Sequence, residues 1–381
     1  MINQKLTWRY VGFEPVSVRL RPRGEAVWSP AVIYSCLDGA LLGSIGSSSR
    51  HAFRPPTAHA QVWMTNVTHA RSTRTNATYA VSLLVVAAAA LTGCGSSDNS
   101  GSKDPLKGDT AKGGTVVVGS NNFPESILLA DIYGEALKAK GIKVSYKLNI
   151  GSRETTYGLI KNGTITVLPE YNGALLAYLN AKAAPTTVED TSKAITAALD
   201  SKLTLLDPSK AEDKDAIAVN EATAKKYKLT TSSTIADLSA SAKDLVIGGS
   251  PEFQTRKQGL VGLKSEYGLE FKSFKALDAG GPLTVAALKG NNIQAADIFT
   301  TDPGITKNKF VVLQDPKNLF GFENVTPLAY KSGLSAAGVS ALNAVSAKLD
   351  TDALVKLNAQ VQNDNKDPLD VAKSWLSTAG L

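Results

Sequence analysis

The chain has 381 residues, with 41 Lys and Arg against 34 Asp and Glu, a formal net charge of +7. That charge is uneven: residues 1–93 hold nine basic and three acidic side chains, leaving 32 basic and 31 acidic from Cys94 onward. A nucleic-acid footprint needs a basic patch or stripe, and the nearly neutral remainder gives no compositional reason to propose one. After Cys94 there is no histidine and no further cysteine, which excludes Ser-His and Cys-His catalytic pairs, zinc sites built on Cys or His, and disulfides from that part of the chain.

The N-terminal quarter divides around one apolar run. Tyr79–Leu91 is 13 residues long and interrupted by Ser82, whereas a spanning helix needs about 20 apolar residues. Arg71 and Arg74 precede it and Leu91-Thr92-Gly93-Cys94 ends it. Positive charge, a short apolar core and small residues are the pattern of a secretory signal rather than of a short alanine-rich core helix. The terminal tetrapeptide resembles the lipobox of bacterial lipoproteins, which implies lipidation of Cys94 and an extracytoplasmic protein anchored to the cell membrane. Residues 64–93, starting at Met64, read as the signal peptide. Residues 1–63, with three of the four tryptophans, read as a mis-called extension. Residues 94–114 are Gly, Ser, Asp, Asn and Lys, a flexible tether with a root-mean-square reach of about 25 Å.

From residue 115 strands and helices alternate. "GTVVVGS" (114–120) is a buried strand, followed by a helix with Pro124 in its first turn and Gly141 beyond its end. "KVSYKLN" alternates as a strand. "SRETTYGLIKNG" is a helix capped by Ser152, "TITVLPEYNG" a strand entering a Pro-containing turn, and 171–180 and 187–200 are helical. A second run opens with "DAIAVN" (215–220). "KDLVIGGSPEF", "LEFKSFKAL", "PLTVAALKGN" and "IQAADIFTTDPG" continue strand, strand, helix, strand, and "KFVVLQD" (309–315) reads as a last central strand. Residues 335–376 carry three amphipathic helices. This order predicts an α/β fold with parallel sheets in two lobes. Ligands of open α/β sheets sit beyond the carboxyl ends of the strands. The loops at 119–124, 168–173, 248–256 and 299–304 are therefore the expected site.

Only two arginines follow Cys94, Arg153 and Arg256, against 30 lysines. Arginine is selected where a planar, multi-donor fork matters. At these two positions the fork could hold a ligand, tie down a loop or pair with a carboxylate.

Five stretches taken together, "GSNNFPESILLADIYGEAL", "LNIGSRETTYGLIKNGTITVLPEYNGALL", "GGSPEFQTRKQGLVGLKSEYGLEF", "ADIFTTDPGI" and "VVLQDPKNLFGFENVTPLAYKSGLS", resemble the substrate-binding lipoproteins of osmoprotectant ABC importers over 115–378. The resemblance implies a two-lobed, class II periplasmic-binding-protein fold with two hinge crossings: lobe one at 115–214 and 311–381, lobe two at 215–310. It implies capture of a quaternary amine of the glycine betaine and choline class, delivery to an ABC permease with its ATPase, no enzymatic activity, no cofactor and a monomer. The same fold holding an amino acid or other small polar solute is the alternative. Carried over residue by residue, the likeness places Tyr171 and Asn172 ("PEYNG"), Phe299, Thr301 and Asp302 ("DIFTTDPG"), Phe253 and Arg256 ("SPEFQTRKQG"), and Asn121 and Phe123 ("GSNNFPES") at the ligand. Asn121 stands where many members have lysine. Arg153-Glu154 and Leu260 stand where some have further tyrosines, so the aromatic cage is thinner here.

Overall fold

The computed structural model describes residues 114–381; the signal peptide, lipidation and tether expectations lie outside the described residues. These described residues fall within one compact unit.

The first lobe begins with β1 (Val116–Gly119), every residue of which is buried. Helix α1 (Pro124–Ala139) follows, with Pro124 at its start and Gly141 just past its end at φ +73°, a conformation that favours glycine. Then come β2 (Val144–Lys147), α2 (Arg153–Lys161), β3 (Val167–Tyr171), α3 (Asn172–Leu179), α4 (Val188–Ala198) and β4 (Leu203–Leu205). Ser152 occupies the N-cap of α2, but its side chain makes no capping bond. After the first crossing, the second lobe contains β5 (Asp215–Val219), α5 (Glu221–Tyr227), β6 (Val246–Gly249), α6 (Gly262–Tyr267), β7 (Ser273–Ala276), α7 (Pro282–Lys289), β8 (Ala295–Phe299), α8 (Gly304–Asn308) and β9 (Val311–Val312). The chain returns through β10 (Val325–Tyr330) and ends in α9 (Ala336–Lys348), α10 (Thr351–Gln362) and α11 (Pro368–Ala379).

The two sheets are built alike, in the orders β2-β1-β3-β10-β4 and β7-β6-β8-β5-β9. Each has three parallel strands: β1 pairs in parallel with β2 and β3, and β6 with β7 and β8. The fourth strand of each is the first one after a crossing, β10 or β5, and it lies antiparallel to both neighbours. The sheets are thus mixed rather than all-parallel. A hydrophobic run does not encode strand direction, and a strand arriving from the other lobe enters against the grain.

Two expectations change for the same reason. "KFVVLQD" is not a central strand: only Val311–Val312 pairs, at the edge of the second sheet against β5. Leu313, Leu319 and Phe320 belong to the second lobe's core, so that lobe runs about ten residues past position 310 and the chain crosses back after Phe320. The true central strand is β10, which the proline in "VTPLAY" disguises. Pro327 faces Pro169 of β3. Neither has an N–H to donate, so the two prolines occupy a register position where no bond runs between them.

The crossings lie side by side. Glu212 and Asn324 form an antiparallel bridge, and Asp213 N donates to Glu323 O at 3.0 Å while Val325 N donates to Ala211 O at 3.0 Å. The two segments therefore form a short two-stranded hinge. Each lobe has separate apolar clusters on its sheet's two faces. In lobe one, α1 and the three C-terminal helices cover one face and Tyr157, Leu175 and Ile195 pack on the other.

Candidate ligand-binding site

The ends of β1, β3, β6 and β8 converge on a cleft between the lobes. Its wall includes Asn121, Phe123, Arg153 and Tyr171 from the first lobe, Phe253, Arg256, Asp297 and Phe299 from the second, and Asp213, Asp215 and Glu323 from the hinge and its flanks.

One side of the cleft is aromatic. Phe123 lies between the other two rings, its centroid 5.9 Å from that of Tyr171 and 5.0 Å from that of Phe299. The three rings thus join the lobes in one wall. Gly280 makes room for it: at φ +55°, a Cβ there would fall 2.5 Å from the Phe299 ring. Phe253 touches the cleft but is 2% exposed and stacks on Phe274 with centroids 6.4 Å apart. It is as much a core residue of lobe two as a wall of the site.

The other side is charged. Arg153 is buried, and its Nε and Nη2 donate to the Glu170 carboxylate at 2.9–3.1 Å. Arg256, at the mouth, reaches across the cleft to Glu154, with Nε–Oε1 at 3.1 Å and Nη2–Oε2 at 2.8 Å. Partial burial pushes the Glu154 carboxyl up, but its hydrogen bonds to Arg256, Ser152 and the backbone, with the Arg256 charge, together outweigh it and hold it at about 2. Both arginines of the described chain therefore pair with glutamates. Burial pushes Asp297 and Glu323 well above the usual carboxylate range, and the nearby Asp215 adds to each. Asp215 is itself raised by burial, against the pull of Arg256 and Arg153.

Behind Tyr171 lies a buried polar knot. The Tyr171 hydroxyl donates to Glu125 Oε1 at 2.7 Å. Thr301 Oγ1 donates to Glu125 Oε2 at 2.5 Å, and Asn358 Nδ2 donates to the same oxygen. Asp213 accepts from Thr301 N at 3.0 Å, and burial together with the Glu125 charge raises its pKa well above the usual range. Three donors on one carboxylate satisfy a group that would otherwise be costly at 2% exposure.

Three expected ligand contacts are absent from the cleft wall. Thr301 is 1% exposed and spends its hydroxyl on Glu125, tying lobe two to lobe one. Asn172 is fully buried, and its Oδ1 accepts from Gly173 N and Asn324 N, linking β3 to the return crossing. Asp302 folds into its own turn, where Oδ1 accepts from Gly304 N at 2.6 Å. Asn121, Phe123, Tyr171, Phe253, Phe299 and Arg256 do line the cleft. Asn121 is positioned by Thr156, whose hydroxyl donates to its Oδ1 at 2.8 Å. Missed from the sequence were Asp213, Asp215, Asp297 and Glu323. For Asp297 a signal existed: one carboxylate inside the otherwise apolar strand "AADIF".

Two mixed α/β sheets, joined by a double crossing and closed over a lined cleft, define a two-lobed solute-binding protein. The family model for the substrate-binding domain of ABC-type glycine betaine transport systems matches residues 114–378. The glycine betaine-binding protein YehZ of Escherichia coli K12 is 29% identical over 287 residues, covering 70% of this chain and 90% of that protein. A glycine-betaine-binding protein of Pseudomonas aeruginosa is 26% identical over 283 residues, covering 70% and 88%. A crystal structure of a glycine betaine/carnitine/choline ABC transporter protein aligns with TM-score 0.56 at 24% identity, covering 69% of this chain and 98% of that one. The chain belongs to the family of substrate-binding domains of ABC-type glycine betaine transporters.

Proposed function

We propose that this chain captures a quaternary-ammonium solute of the glycine betaine and choline class between its lobes and presents it to an ABC permease. The observation that carries the reading is the continuous ring wall of Phe123, Tyr171 and Phe299, set opposite buried carboxylates. A quaternary ammonium has no N–H, so it is held by ring faces and negative charge, each ring contributing about 0.5–2 kcal/mol when desolvated. Three rings supply about 1.5–6 kcal/mol of the roughly 8 kcal/mol of a micromolar site, and the surrounding negative charge and polar contacts supply the rest. The ligand bridges both lobes and shifts the population toward the closed form. Family membership supports work with a permease rather than catalysis. Lipidation of Cys94, with 94–114 as a tether, holds the lobes at the outer face of the membrane, and the protein acts as a monomer. Residues 1–63 form no part of that product.

A thermal-shift panel on the purified protein tests the reading. Choline, glycine betaine and carnitine are set against neutral and basic amino acids. At least one quaternary amine is expected to raise the melting temperature. A shift by an amino acid and by none of the quaternary amines would overturn it in favour of an amino-acid-binding protein.

A further inference from the structure

Each of the three rings in the cleft wall is tied to one carboxylate that does not itself reach the cleft. Phe123, the N-cap of α1, stands two residues before Glu125. Tyr171 donates its hydroxyl to Glu125 Oε1 at 2.7 Å. Phe299 stands two residues before Thr301, whose hydroxyl donates to Glu125 Oε2 at 2.5 Å. Asn358 of α10 closes the remaining side: its Nδ2 donates to Glu125 Oε2 and, at 3.1 Å, to Thr301 Oγ1. Glu125, Thr301 and Asn358 are 2%, 1% and 1% exposed, and none of the three is on the cleft wall. The loop that carries Thr301 is fixed again at the hinge, where Asp213 Oδ1 accepts from Thr301 N at 3.0 Å and from the Thr300 hydroxyl at 3.3 Å.

A carboxylate has two acceptor oxygens, so it can take hydroxyls from two directions at once. Here Oε1 holds a ring of lobe one and Oε2 holds a loop of lobe two. Withdrawing Thr301 leaves a buried acceptor short of a donor, which is costly. Ring faces hold a cation over a short range, so a wall shared by two lobes works only when its rings are fixed relative to one another. Building on the function proposed above, we propose that Glu125 is a positioning residue of the site. It sets the Tyr171 ring against Phe123 and Phe299, and through Thr301 it joins that alignment to closure of the lobes. The ligand never touches Glu125. By linkage, the ligand strengthens the Glu125–Thr301 contact as much as that contact strengthens ligand binding.

Calorimetric titration with choline, glycine betaine and tetramethylammonium tests this on the purified protein and on Thr301→Val, Thr301→Ser and Tyr171→Phe. Whichever of the three cations binds the unmodified protein is expected to bind Thr301→Val about fivefold more weakly or worse. Thr301→Ser keeps the hydroxyl and binds more tightly than Thr301→Val. In a Tyr171→Phe background the hydroxyl link from Glu125 to the ring is gone, so Thr301→Val costs less than it does alone. In the unmodified protein, saturating ligand slows amide hydrogen exchange at Thr301. Unchanged affinity in Thr301→Val, equal losses in Thr301→Ser and Thr301→Val, costs that simply add in the double variant, or Thr301 exchange indifferent to ligand would each overturn the inference while leaving the quaternary-ammonium reading intact. Binding of none of the three cations to the unmodified protein would overturn that reading and this inference with it. The exchange measurement needs no variant and decides the matter even where a variant fails to fold.

Discussion

Arg153 illustrates how much one residue's partner decides. Buried beside Glu170, it is part of the cleft wall yet turned to a neighbour rather than to solvent. Removing one member of a buried pair leaves an uncompensated charge and costs about 3–5 kcal/mol, so Arg153→Ala is expected to lose that much in denaturant unfolding. A loss under 1 kcal/mol would mean the pair is not buried in solution. Asp302 supplies a second test. Burial raises its carboxyl to about 6, against the ordinary 3.8. A carboxyl with a raised folded pKa binds its proton more tightly when folded, so its contribution favours the fold at low pH and is lost as pH rises from about 4 through 6. Asp302→Asn keeps the bond to Gly304 and removes that titration. It should flatten the fall in melting temperature across that window and leave ligand affinity unchanged. An affinity loss would return Asp302 to the site. The loops at the strand ends, read from the sequence, do line the cleft, and so do the aromatic residues on them. The sequence could not tell which polar residue of a loop turns outward. Thr301, Asp302 and Asn172 look like ligand donors in a motif and are consumed by buried partners.

At the scale of elements, Pro124 and Gly141 made α1 legible through start and stop chemistry, and periodicity marked the C-terminal helices, whose caps Asp350 and Asp367 accept backbone N–H bonds. Strand direction was not legible, nor was β10 as a strand. β10 carries a proline that ordinarily argues against a central strand, and it is tolerated because Pro169 faces it. The loop after β8 is held by long-range contacts, through Thr301 to α1 and α10. Thr301→Val removes the hydroxyl that donates to a buried carboxylate. It should cost about 1–3 kcal/mol in unfolding free energy, a loss read as a lower denaturant midpoint. An unchanged midpoint would show that Glu125 finds another donor.

For the whole molecule, closure rests on two unlike sets of contacts. The hinge and the Glu125 knot are buried, whereas the mouth is held by Arg256–Glu154, whose side chains are 30% and 43% exposed, and by Lys257 Nζ donating to Ala181 O at 2.8 Å. Exposed pairs are worth about 0–1 kcal/mol. Such a latch can open without unfolding the lobes, as a protein that must release its solute requires. The ring wall is the place where a cation would join both lobes. A crystal structure of the protein with choline tests this most directly. The trimethylammonium nitrogen is expected within about 6 Å of the Tyr171 and Phe299 ring centroids. Choline bound outside the cleft, or inside it with its nitrogen away from those rings, would contradict the assignment.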